Sequence, residues 1–165
     1  MRPIIKYLVA GAVSTTLLAS PASAACWSQT EINAAKVRTF ETMLMVSALR
    51  CTSSEHDLLR DYNNFVRAKR PLLAKMNVIM RAHFGKGKSA KRALNDYDNY
   101  IISIANRYGA GTSRDDCSEM AALAKTAVRS DVSTIALVNL ANAAGSHPKL
   151  PGGTCSINVA LRLKE

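Results

Sequence analysis

The sequence predicts an all-α protein, an up-down bundle of four to five helices with two disulfides and an irregular C-terminal tail. Apolar residues recur at steps of three and four through most of the chain, as on one face of a helix. Strand signals are weak, and clusters of Gly, Ser and Pro divide the periodic stretches at helix-length intervals. The four cysteines are predicted to form two disulfides.

The first 24 residues are predicted to be a secretory signal peptide. Arg2 and Lys6 precede an apolar run from Tyr7 to Leu18, and small residues then lead to a cleavage site after Ala24. A membrane anchor is the alternative, but the apolar run is shorter than the ~20 residues that span a bilayer. The protein is therefore predicted to be periplasmic or secreted.

Residues 25–165 are predicted to form a single helical domain. No second stretch is apolar enough to cross a membrane. Cys26 also permits a lipoprotein, although Ser23 stands where such signals usually carry Leu.

All four cysteines fall in this domain, which favours disulfides in an exported chain. There is no CxxC, so zinc and thioredoxin-like redox sites are poorly supported, and there is no CxxCH for haem.

Helix geometry selects the disulfide pairing. Cys26 and Cys51 lie at opposite ends of the first predicted helix, about 37 Å apart along a straight axis. A disulfide tolerates roughly 7 Å between Cα atoms, so this pair is excluded. An up-down bundle brings the end of the first helix to the start of the fourth, and the tail back to the chain's beginning. The sequence therefore predicts Cys51–Cys117 and Cys26–Cys155.

The first helix is predicted from Ala25 to Cys51, with Thr30 as its N-cap. Its predicted apolar side is a single stripe of Val37, Phe40, Leu44, Ala48 and Cys51. The second helix begins near Ser54, and Pro71 projects to its polar face, which fits a kinked but continuous helix. The alternative is two helices that meet at Arg70-Pro71. Lys69 falls inside the apolar stripe of this helix. Either its ammonium snorkels from the edge of the core or the stripe rotates at the proline.

Glycines and hydroxyl residues delimit the later helices. Gly85 is predicted to end the second helix, Ser89 to cap the third and Gly109-Ala110-Gly111 to end it. The third helix is predicted to bury Ala90, Leu94, Tyr97, Ile101, Ile104, Ala105 and Tyr108, and to leave Tyr100 exposed.

Ser113 to Asp116 resembles a capping box at the start of a fourth helix. Ser130-Asp131 either starts a fifth helix or lies within a longer fourth one. Beyond Gly145 the prolines and glycines exclude a regular helix, and residues 157–163 are either extended or a short helix.

The charge of the chain is concentrated in residues 62–95. This segment carries nine basic residues and no acidic residue, whereas the chain without Arg2 and Lys6 has 20 basic and 12 acidic residues. A solvated face is the common explanation of such a pattern, but a local excess of charge also attracts anions. The predicted anion-binding residues are Arg67, Arg70, Arg81, Lys86, Lys88, Lys91 and Arg92.

Two patterns that suggest bound groups are better explained otherwise. Met76, Met80 and His83 share a helix face and offer ligands suited to Cu(I), but the same face buries leucines, so core packing is preferred. Gly87-Lys88-Ser89 resembles the end of a P-loop, but the position that requires glycine is Ala82. We therefore predict neither a metal site nor a cofactor.

The sequence favours a non-catalytic protein, although enzymatic activity is left open. The three histidines are His56, His83 and His147, and none belongs to a recognisable catalytic motif. The favoured partner is an anionic component of the cell envelope: a lipid head group, an anionic glycan or an acidic protein. Export makes nucleic acid a poor natural partner. The alternatives are a carrier of a small ligand or metal between the helices, and an enzyme acting on envelope polymers. A carboxylate of raised pKa in a cleft would be the sign of such an enzyme.

Overall fold

Five helices make up most of the described chain. The computed structural model describes residues 26–52, 58–109 and 117–155. The helices are α1 (Gln29–Arg50), α2 (Leu58–Gly85), α3 (Ala90–Gly109), α4 (Cys117–Arg129) and α5 (Thr134–Ala143). The predicted all-α bundle is confirmed, with one isolated bridge as the β-structure of these ranges. The predicted signal peptide, Ser54, His56, Ser113 to Asp116 and residues 157–163 lie outside the described residues.

Helix α1 begins at a capping box formed by Ser28 and Glu31. The Glu31 amide donates to Ser28 Oγ at 3.4 Å, and the Ser28 amide donates to Glu31 Oε2 at 2.8 Å. The prediction of Thr30 as the N-cap was wrong. Ser28 has a glutamate three residues ahead, which lets the two side chains satisfy each other's amides.

Helix α1 is the central helix of the bundle. It packs on α2, α3 and α5 and makes a smaller contact with α4. Residues on several sides of it are therefore buried, including Ala34, Val37, Phe40, Leu44 and Ala48. The single apolar stripe that the sequence predicts covers only part of this buried surface.

Helix α2 is continuous through Pro71, so the single-helix alternative is correct. Pro71 is exposed, as predicted. Lys69 is 1% exposed, and its ammonium donates to the backbone carbonyls of Val128, at 3.2 Å, and Ser130. It lies in the stripe without reaching solvent, because the carbonyls at the end of α4 supply the acceptors that water would otherwise offer.

Helix α3 begins directly after Ser89 and buries Tyr97, Ile104 and Tyr108, as predicted. The prediction that Ala90 and Leu94 are buried was wrong, since both are exposed. The first turns of α3 are largely exposed, and burial by α1 and α2 begins at Tyr97.

Helices α4 and α5 are separate helices. Helix α4 ends at Arg129, and Ser133 caps α5 by accepting a hydrogen bond from the Ala136 amide at 3.1 Å. The alternative of a distinct fifth helix is therefore correct. Helix α4 packs chiefly on α2, and α5 packs on α1.

The tail after α5 returns to the start of α1. The Trp27 amide donates to the Gly153 carbonyl at 2.9 Å, and the Cys155 amide donates to the Trp27 carbonyl at 3.0 Å. Both predicted disulfides are confirmed. Cys26–Cys155 joins this tail to the beginning of the domain, and Cys51–Cys117 joins the end of α1 to the start of α4. No helix among the described residues is long and apolar enough to cross a membrane.

Candidate anion-binding site

The fold divides the seven predicted anion-binding residues into three groups. Arg70 and Arg81 line a groove beside α2, and Lys86 and Lys88 line a separate cleft near the start of α1. Arg67, Lys91 and Arg92 are exposed and lie outside both cavities.

The groove, called here the arginine groove, lies against α1, α2 and α3. Arg70 and Arg81 fall on one side of α2, eleven residues and roughly 17 Å apart along its axis. The volume of the groove is about 370 Å³. Its lining residues are Arg38, Glu41, Val66, Arg70, Leu73, Ala74, Asn77, Arg81 and Tyr97.

Arg38 is a third guanidinium in this groove, and the sequence analysis did not identify it. Its Nη1 donates to Glu41 Oε2 at 2.6 Å, while its buried Nε has no acceptor among the described residues. Burial lowers the pKa of Arg38, but the Glu41 carboxylate outweighs that effect and the net shift is upward. Arg38 is thus a permanent cation that is held in place by Glu41.

Arg81 is held over the ring of Tyr97, with its Cζ 5.5 Å from the ring centroid. The Tyr97 hydroxyl in turn donates to Asn77 Oδ1. This cation–π contact positions the guanidinium without using its hydrogen-bond donors.

The arginine groove has a net positive charge. Among the described residues, no carboxylate forms an ion pair with Arg70 or Arg81. Three guanidinium groups and the Glu41 carboxylate therefore give the groove a formal charge of +2. Because guanidinium donors match carboxylate and phosphate oxygens, the groove is suited to an anion.

The lysines of the other cavity are already paired. Lys86 Nζ lies 2.6 Å from Glu31 Oε1, and Lys88 Nζ lies 2.6 Å from Asp96 Oδ2. The charge of these two lysines is therefore balanced locally, in contrast to Arg70 and Arg81. We call this cavity the tail cleft, because Pro151 and Gly152 of the tail form one side of it.

Glu31 connects the start of α1 to the end of α2. Its Oε1 forms an ion pair with the Lys86 ammonium and lies 3.3 Å from His83 Nδ1. Its Oε2 accepts hydrogen bonds from the Ser28 amide and hydroxyl. Burial raises the pKa of Glu31, but the hydrogen bonds from Lys86 and Ser28 and the charge of His83 outweigh it, and the pKa falls to about 2. The raised carboxylate pKa that would mark an enzyme is thus not found at Glu31.

His83 belongs to an aromatic cluster at this end of the bundle. Its ring stacks on Trp27 with centroids 3.7 Å apart, and Phe84 meets it edge-on at 5.3 Å. Its Nδ1 approaches Glu31 without the alignment of a hydrogen bond. Burial lowers the pKa of His83, with Glu31 opposing the shift and Lys86 and Lys88 adding to it.

Tyr100 was predicted to be exposed, and this prediction was wrong. It is 6% exposed and packs with Trp27 and Phe84 at centroid distances of 5.7 and 5.2 Å. Burial raises its pKa to about 12. The aromatic residues before α1 and at the end of α2 create a core on the side of α3 that its own periodicity assigns to solvent.

Met76 and Met80 are buried core residues, which agrees with the packing interpretation of this stripe. Across residues 26–52, 58–109 and 117–155, no three His, Cys, Asp or Glu side chains cluster as metal ligands would.

Comparison of the chain with protein-family models, curated proteins and solved structures finds no match.

Proposed function

We propose that this protein is an exported, non-catalytic binding protein that engages an anionic component of the cell envelope through the arginine groove. The N-terminal signal pattern supports export. The two disulfides are compatible with it, since such bonds persist in oxidising compartments.

The observation that carries the proposal is the unequal pairing of the basic residues. Lys86 and Lys88 each contact a carboxylate. Arg70 and Arg81 line a common groove, and neither forms an ion pair with a carboxylate of the described chain. Guanidinium groups that are exposed and not neutralised retain their donors for an external anion.

The shape of the site favours an acidic glycan over the other anionic partners. The two arginines are separated by roughly 17 Å along α2 and line one shallow groove. A chain-like ligand with repeated carboxylates can follow such a groove and meet both guanidinium groups. A bilayer surface is flat and would sooner contact Lys91 and Arg92, which lie outside the groove.

The proposal is tested by titrating the protein with a galacturonate hexamer, with maltohexaose as the uncharged control. We expect the acidic oligosaccharide to bind and the neutral one not to bind. The double variant Arg70→Gln/Arg81→Gln should weaken binding about tenfold, because each lost charge contact contributes roughly 0.5–1 kcal/mol at an exposed site.

A charge-matched variant distinguishes the groove from net charge. Lys75 lies about 140° around α2 from Arg70, and Arg129 is exposed at the end of α4. Lys75→Gln/Arg129→Gln should therefore retain binding. Equal weakening by both double variants would refute the groove. Tighter binding to phosphatidylglycerol vesicles than to the hexamer would reassign the partner to lipid.

A further inference from the structure

The tail cleft is a second cavity whose chemistry differs from that of the arginine groove. It lies between the end of α2 and the tail, and its volume is about 330 Å³. That volume falls at the small end of the range of ligand cavities, which is roughly 300–1,000 Å³. Its lining residues are Trp27, His83, Phe84, Lys86, Lys88, Pro151 and Gly152.

The inner wall of the tail cleft is aromatic. Trp27 and His83 stack on each other, and Phe84 meets both edge-on. Pro151 of the tail also lines the cleft, and its carbonyl accepts a hydrogen bond of 2.8 Å from the Trp27 indole. Walls of this kind accommodate a flat apolar group.

The rim of the tail cleft carries hydrogen-bond donors. An ammonium has three donors, so the contacts of Lys86 with Glu31 and of Lys88 with Asp96 leave donors on both lysines. His83 is 8% exposed, and its buried Nδ1 faces Glu31 Oε1 at 3.3 Å, so the two lysines supply the donors of the rim.

We propose that the tail cleft binds a small molecule with a flat apolar body and a single carboxylate. The apolar body lies against Phe84 and Pro151, and the carboxylate accepts hydrogen bonds from Lys86 and Lys88. Glu31 and Asp96 already balance the charge of these lysines, so the ligand's carboxylate is held by their remaining hydrogen-bond donors and not by an excess of charge. This inference does not depend on the glycan proposed above, since none of its residues lines that groove.

The tail forms one side of the cleft because it is fixed to the start of α1. The Cys26–Cys155 disulfide and two backbone hydrogen bonds between Trp27 and residues 153 and 155 fix it there. The ligand site therefore exists only while the tail is attached. Reduction of the disulfide is expected to weaken ligand binding.

Trp27 is the sole tryptophan of the chain, so its indole N–H gives one assigned signal in a ¹H–¹⁵N spectrum. The probe is 2-naphthoate, and 2-naphthalenemethanol is the uncharged control with the same ring system. We expect the naphthoate to shift the Trp27 signal saturably. The alcohol should bind about fivefold more weakly, since it lacks a charged acceptor for the lysines.

Three variants test the assignment. Lys88→Gln removes a rim donor and should weaken naphthoate binding about fivefold, and Phe84→Ala should weaken both probes. Lys91→Gln makes the same charge change outside the cleft and should have no effect. The proposal is overturned if naphthoate does not shift the Trp27 signal at millimolar concentration. It is also overturned if the two probes bind equally, or if Lys91→Gln weakens binding as much as Lys88→Gln.

Discussion

Replacing the buried lysine of α2 by methionine tests the account of the bundle. Lys69 is 1% exposed, and its ammonium donates to the carbonyls of Val128 and Ser130. These carbonyls lie at the C-terminal end of α4, where backbone acceptors have no partner within the helix. Lys69→Met keeps the length of the apolar stem and removes both hydrogen bonds, so two partly buried carbonyls lose the donor that Lys69 supplies.

The expected cost follows from two opposing terms. A hydrogen bond to a charged group contributes roughly 1.5–3 kcal/mol, and two are lost. The variant also relieves the desolvation of a buried ammonium, which is several kcal/mol and offsets part of that loss. We expect Lys69→Met to lower the free energy of unfolding by about 2 kcal/mol, which corresponds to a melting temperature lowered by roughly 6 °C.

The assay is urea denaturation followed by circular dichroism at 222 nm. Lys75→Met is the control, because Lys75 is exposed on the same helix and its substitution should change stability by less than about 0.5 kcal/mol. If Lys69→Met proves as stable as the parent protein, the burial of the charge outweighs its hydrogen bonds. The interpretation of Lys69 as a stabilising cap of α4 would then be refuted.

Two further predictions concern the start of α1. The lowered pKa of His83 and the Glu31 pKa of about 2 mean that both groups bind protons more readily when unfolded. Stability should therefore fall as the pH drops below His83's ordinary value of 6.5, and again as it drops from 4.5 towards 2. Glu31→Gln should abolish the second decrease in urea midpoints measured against pH; an unchanged profile would contradict this. Cys26→Ser/Cys155→Ser should lower the free energy of unfolding by up to about 4 kcal/mol and shift the fluorescence of Trp27 to the red. An unshifted spectrum would show that the backbone hydrogen bonds of Trp27 alone hold the tail.

The sequence predicted the parts of the fold that depend on periodicity and helix length. The two disulfides follow from the rise of a helix, because Cys26 and Cys51 cannot meet across α1. The ends of α2 and α3 follow from glycines at positions 85 and 109. Pro71 was placed correctly on the exposed face, since the apolar positions around it define the opposite side.

The parts that depend on contacts between distant residues were not predicted. Tyr100 is buried by Trp27 and Phe84, which approach it from other segments. Lys69 is satisfied by carbonyls about 60 residues away along the chain. Periodicity assigns a residue to a face of its own helix but does not reveal which neighbour that face will meet.

The sequence predicted which segment carries the candidate site, but not which residues the fold brings together there. The basic residues of α2 were identified from their local charge, but Arg38 and Glu31 lie on α1 and divide them into different environments. The serine and glutamate spaced by three residues at positions 28 and 31 were the available signal for Glu31. For Arg38, which stands in a helix of mixed composition, the sequence offered no comparable signal.

The central claim is that the arginine groove binds an acidic ligand through Arg70 and Arg81. Its most direct test is the salt dependence of galacturonate-hexamer binding by the parent protein and by Arg70→Gln/Arg81→Gln. The account predicts that the affinity of the parent falls steeply as the salt concentration rises, because exposed charge contacts are screened. It predicts a much shallower dependence for the variant. The same steep dependence in both proteins would contradict the claim, because the charges that attract the ligand would then lie elsewhere.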